Sequence, residues 1–160
     1  MLTETFCTDI PQIDNYLTFN SPAEYLETSP GACHKGRPSG GLAIAFHKSL
    51  KLTVRETFKN QFVLSVFLVE LRITLIVAYF RPKTSISFIL DTLIECMSKT
   101  ICGNIILGGD FNARLDCNSR GSRLVDNLLH FNLRCINSPT TKMAVARLTS
   151  FSLTSIRFLL

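Results

Sequence analysis

The chain has 160 residues, of which 46% are hydrophobic and 18% charged. That balance excludes a disordered tail, a collagen-like chain and a low-complexity linker. The length fits one domain and lets it bury about two-thirds of the surface of the unfolded chain. The net charge of +5 is unevenly placed: ten basic and ten acidic residues lie between Met1 and Ala113, whereas the last 47 residues hold seven basic and two acidic ones. A basic segment of this kind suits a polyanion partner or a solvated basic face, and charge alone leaves both open.

Six cysteines (Cys7, Cys33, Cys96, Cys102, Cys117, Cys135) form no CxxC pair, and His34, His47 and His130 are not at zinc-finger spacing from them. They are expected to be reduced, mostly buried thiols of an intracellular protein, nuclear or cytoplasmic. The N-terminus shows no basic and apolar leader regions and is not expected to be a signal peptide. All three histidines are expected to be structural or exposed.

In chain order, Leu2–Phe6 is expected to end a strand and Cys7–Lys35, with three prolines, to be irregular. Gly36–Gly41 forms a turn from which Leu42–Phe46 leaves as an apolar strand. Lys51–Phe58 is a further candidate strand. The run Phe62–Phe80 is long enough to span a bilayer, but Glu70 and Arg72 sit at its centre. Each would cost about 2.5–3.5 kcal/mol there. Dense Val, Ile, Phe and Thr instead predict two adjacent buried strands with Glu70-Leu71-Arg72 at the turn. Arg81-Pro82-Lys83-Thr84 ends that pair. Ile86, Ile89, Leu90, Leu93, Ile94 and Met97 recur at helical spacing and predict a helix over Ser85–Lys99. A short strand, Asn104–Leu107, is expected to break at Gly108-Gly109. A helix follows over Ser122–Phe131, then a strand over Leu133–Ile136, whereas Lys142–Leu160 alternates only weakly. The pattern argues for mixed sheets covered by helices.

The most informative segment is Ile105-Ile106-Leu107-Gly108-Gly109-Asp110-Phe111-Asn112-Ala113-Arg114. A strand delivers Asp110 and Asn112 to the end of a sheet, two residues apart and so, if extended, on one face. A carboxylate can orient or deprotonate water, and an amide can donate to a phosphate oxygen as charge builds. A plain Gly-Asp-Asn turn after a strand would look the same.

Three further segments change the balance: Thr3-Glu4-Thr5, GRPSGGLAI over Gly36–Ile44, and Val77-Ala78-Tyr79-Phe80-Arg81-Pro82. In this order the segments resemble the endonuclease/exonuclease/phosphatase superfamily, and within it the endonuclease domain of LINE-type non-LTR retrotransposon polyproteins. The resemblance runs from Thr3 to Asn137, and GRPSGGLAI and ILGGDFNAR are its most specific parts. It implies an α/β fold, a four-layer sandwich of two packed mixed sheets flanked by helices.

It also implies that Glu4 holds a divalent cation, Mg²⁺ or Mn²⁺, that Tyr79 lies near the scissile phosphate, that Asp110 positions the attacking water and that Asn112 contacts the phosphate. DNA would be the partner, with no membrane and no small-molecule cofactor. The chain would belong to or derive from a larger polyprotein with reverse transcriptase. Arg114, Arg120 and Arg123 are the candidate nucleic-acid contacts. Against the family pattern, an earlier Asn-bearing strand and a C-terminal Asp-His pair have no counterpart, and Arg157 follows Ser155-Ile156 where an acid is expected. The chain is therefore expected to be a single, truncated domain over 1–160, weak or inactive as a nuclease. The alternative is a catalytically dead remnant that at most binds nucleic acid through its basic C-terminal third. A phosphomonoesterase of the same superfamily is a third reading.

Overall fold

The protein was analysed as a computed structural model that describes residues 1–9, 12–25, 38–100, 103–113, 120–135 and 144–147. The apolar run Phe62–Phe80 forms two antiparallel strands, β5 (Val63–Leu68) and β6 (Ile73–Tyr79), paired from Val63↔Ala78 to Leu68↔Ile73. Glu70 and Arg72 lie in the turn between them. There the Glu70 carboxylate accepts the Thr53 N–H at 2.9 and 3.0 Å, which holds it below the usual carboxylate range. Every residue of β5 is buried, because both faces of this sheet are covered.

The other strands of that sheet build outward from the pair. Strand β4 (Val54–Lys59) pairs antiparallel with β5. On the other side β7 (Asn104–Asp110) runs parallel to β6, from Ile73↔Asn104 to Tyr79↔Asp110. The crossover between them is helix α1 (Ile86–Ser98), whose N-cap Ser85 accepts the Phe88 N–H at 3.3 Å. Helix α2 (Arg120–Leu129), β8 (Arg134–Cys135) and β9 (Ala144–Arg147) follow, and the sheet order is β4-β5-β6-β7-β9-β8.

A second, antiparallel sheet has the order β1-β3-β2, built from β1 (Leu2–Thr3), β2 (Tyr16–Ser21) and β3 (Leu42–His47). Side-chain alternation then sorts the core into two layers. Ile76, Ala78 and Phe80 join Ile89, Leu93, Leu107, Phe111, Leu124 and Leu128 beneath the helices. Val77 and Tyr79 join Leu42, Ile44, Leu64 and Val66 between the two sheets. The expected α/β sandwich is present, and among the described residues the helices cover the outer face of the larger sheet.

Three expectations are corrected. Cys7–Lys35 is not wholly irregular, because β2 lies within it; its exposed end carries Tyr16 and Leu17 while Asn20 and Ser21 are buried, so the usual polarity of a half-buried strand is inverted. Strand β7 does not stop before its glycines. It continues to Asp110, and Gly109 lets the backbones of β6 and β7 approach: a Cβ there would meet the Ala78 carbonyl and lie 2.8 Å from the Ala78 nitrogen. Of the cysteines, Cys96 is buried and its thiol is pushed up to about 12 by that burial, whereas Cys7 is exposed. Cys33, Cys102 and Cys117 lie outside the described residues, as do Arg114, His34 and the 148–160 segment. His130 is exposed, and His47 caps a short 3-10 turn by accepting the Ser49 N–H, as the structural reading expects.

Candidate active site

The site begins with the way the chain leaves β1. Glu4 and Phe6 both adopt positive φ, 55° and 53°, and kink the segment out of the strand. Its backbone is then tied down on three bonds: Thr5 N–H to Gly41 O at 3.2 Å, Phe6 N–H to Gly40 O at 3.0 Å and Ala23 N–H to Cys7 O at 2.8 Å. Gly41, at φ 90°, is required for this approach, since a Cβ there would run into the Thr5 hydroxyl and crowd Ala23 at 3.3 Å. Gly40 lies against the Tyr79 ring, with 3.6 Å between its would-be Cβ and Cδ1. The glycine-rich turn thus presses the Glu4 segment onto the end of β6.

There the Tyr79 hydroxyl donates to Glu4 Oε1 at 2.9 Å. The phenol is pushed up to about 12, first by burial, then by its bond to Glu4 and the charges of Glu4 and Asp110, with Arg81 acting in the opposite direction. Tyr79 is therefore neutral at ordinary pH and acts as a donor, not a base.

Asp110 is level with Tyr79 in the β6–β7 register, so both side chains leave the sheet on the face toward the second sheet. Its Oδ1 accepts the Asn112 N–H at 2.9 Å, and Asn112 Nδ2 donates to the Phe80 carbonyl at 2.9 Å. Asn112 has φ 46°, so it is not extended. The two residues are brought together by a turn closed on the Asp110 side chain, which replaces the simple two-residue alternation expected. The Phe80 N–H donates to the Asp110 carbonyl at 2.9 Å, which locks the two strand ends together.

Glu4, Tyr79, Asp110 and Asn112 thus gather at the ends of β1, β6 and β7, joined pairwise by the Tyr79–Glu4 bond, the Tyr79↔Asp110 register and the Asp110–Asn112 bond. No family model matches the chain, and no curated protein matches it. Among solved structures, the endonuclease domain of TRAS1, a telomere-specific non-LTR retrotransposon, is similar over 84% of this chain and 65% of that one, with 21% identity and a TM-score of 0.57. The chain has the endonuclease/exonuclease/phosphatase fold. The human Nocturnin catalytic domain with bound sulfate anion is similar over 83% of this chain and 60% of that one, at 15% identity and a TM-score of 0.48. The chain spans about 65% of the length of the TRAS1 domain.

Within this endonuclease/exonuclease/phosphatase fold the expected basic residues have different surroundings. Arg123 is exposed on α2. Arg120 is half-buried, and its guanidinium donates to the Thr84 carbonyl, tying α2 to the turn after β6. Arg81 was not singled out from the sequence, yet its charge acts on the Tyr79 phenol two residues before it. Among the described residues no three His, Cys, Asp or Glu side chains gather as a metal cluster, and no helix is long and apolar enough to cross a membrane. Glu4 is a hard oxygen donor of the type Mg²⁺ takes, one or two carboxylates completed by waters and substrate oxygens. The donor fits such a cation.

Proposed function

We propose that this chain is a divalent-metal-dependent phosphodiesterase of the retrotransposon-endonuclease type, nicking one DNA strand by attack of water on a phosphodiester. The observation that carries this reading is the Tyr79 hydroxyl on Glu4 beside Asp110, a grouping drawn from distant parts of the chain. Its support also includes the TRAS1 domain, an endonuclease of a non-LTR retrotransposon that shares the fold. DNA as substrate and a place in a larger polyprotein with reverse transcriptase are part of the proposal.

Glu4 would hold the cation, which when bound would supply positive charge against the phosphate oxygens. Asp110 orients the attacking water and takes its proton, with one oxygen already fixed by the Asn112 N–H. The Asn112 amide carries two hydrogens on Nδ2; one holds the Phe80 carbonyl and the second is available to a phosphate oxygen. Tyr79, neutral, orients Glu4 through its hydroxyl. A plasmid-nicking assay with Mg²⁺ tests the reading, comparing the protein with Asp110→Asn, which keeps the oxygen that accepts from Asn112. Nicking should fall by at least about 10²-fold in the variant. Equal nicking by both proteins would refute the assignment.

A further inference from the structure

The four residues after β6, Arg81-Pro82-Lys83-Thr84, form a tight turn in which the Thr84 N–H donates to the Arg81 carbonyl at 3.2 Å. Pro82 occupies the first central position and Lys83 the second, at φ 71°, which is the arrangement of a type II turn. Glycine or asparagine suits that second position; lysine is held there against its backbone preference. The turn is secured three times. The Thr84 hydroxyl donates to the Arg81 carbonyl at 2.7 Å, the Arg120 guanidinium donates to the Thr84 carbonyl, and Phe80 is locked to the Asp110 carbonyl and the Asn112 amide. A strained residue persists where its surroundings fix it, and such positions cluster at working sites.

Two cations ride on this turn. Arg81 follows Tyr79 by two residues, and its charge acts on the Tyr79 hydroxyl. Lys83 is exposed at the tip. Neither takes part in an ion pair among the described residues, where the pairs formed are Lys59–Glu56 and Lys99–Glu95. Both sit at the strand end that carries Asp110.

We infer that the Arg81–Thr84 turn is a phosphate clamp: Arg81 and Lys83 each bind a backbone phosphate of the nucleic acid flanking the phosphodiester presented to Asp110. This rests on the proposed nuclease reading for its substrate, but it assigns a binding role to residues outside the catalytic constellation. The planar guanidinium suits two-point contact with a phosphate, and the ammonium acts as a point charge at the rim. Arg120 is a positioning residue in this arrangement, holding the turn through Thr84.

The test is duplex binding by fluorescence anisotropy across a salt series, in the Asp110→Asn background so that no strand is cut. Nicking by the clamp variants is measured separately with an intact Asp110. Lys83→Gly and Arg81→Gln are each expected to weaken binding about five- to tenfold and to lower the salt slope by about 1. Lys83→Gly should meanwhile leave the thermal midpoint unchanged or raised, because glycine relieves the turn; a purely structural lysine would not separate the two readouts in this way. Arg81→Lys should recover part of the affinity lost in Arg81→Gln. If both clamp variants bind with the parent affinity and slope, the clamp is overturned, even where the wild type nicks DNA. Absence of any duplex binding at low salt overturns it as well. Loss of binding in the variants of a protein that never nicks would support the clamp while refuting the nuclease reading.

Discussion

The Tyr79 hydroxyl donates to Glu4 Oε1 at 2.9 Å across 75 positions of sequence, so one hydrogen bond joins the kinked exit of β1 to the end of β6. It is charge-assisted and largely withdrawn from solvent on the tyrosine side. Tyr79→Phe keeps the ring against Gly40 and removes the donor. The expected loss is about 1–2 kcal/mol in urea unfolding, the range for a bond to a charged acceptor at a partly exposed site. A variant as stable as the parent would mean that water replaces the tyrosine at no cost.

The same group sets an alkaline limit. The folded phenol titrates near 12 against an ordinary value of 10.0. Between these values the unfolded chain releases the proton that the folded one keeps, so stability is full below about pH 10 and falls as pH rises toward 12. Cys96 adds to the same trend from its ordinary value of 9.0 upward, because burial disfavours its thiolate. Urea midpoints followed from pH 8 to 12 should therefore decline, and Tyr79→Phe should flatten the upper part of that decline.

Much of the frame was legible because periodicity and burial agree there. The β5–β6 pair announces itself through β-branched residues on both sides of a charged turn, and α1 through its apolar spacing behind Ser85. Strand β2 was hidden because Tyr16 and Leu17 face out and its buried end is Asn20-Ser21. The pair Gly108-Gly109 looks like a break, yet its lack of side chains is what lets β7 run close to β6. Of the site, the order of Glu4, Tyr79, Asp110 and Asn112 could be read from the sequence as a resemblance. Their convergence depends on the positive φ of Glu4 and on the fit of Gly41 against Thr5, which no local pattern encodes.

Gly41→Ala tests that fit. The added methyl meets the Thr5 hydroxyl and crowds Ala23, at a φ of 90° that L-residues avoid. A destabilisation of about 1–3 kcal/mol is expected by thermal or urea unfolding. Because the strain falls on the segment that carries Glu4, combining the change with Tyr79→Phe should cost less than the two separate losses together. Strict additivity would show that the glycine turn and the Glu4–Tyr79 bond are independent.

Asn112 separates backbone geometry from amide chemistry. Its φ of 46° is tolerated by asparagine and free for glycine, but opposed by alanine. Both replacements lose the bond from Nδ2 to the Phe80 carbonyl, while each keeps the main-chain N–H that Asp110 accepts. Stability should therefore fall in the order Asn112, Asn112→Gly, Asn112→Ala, with steps of about 1 kcal/mol. Nicking should follow the amide and not the backbone, dropping by about 10²-fold or more in both variants. An Asn112→Gly protein that nicks like the parent would remove the amide from the phosphate and leave it only the work of joining β7 to β6.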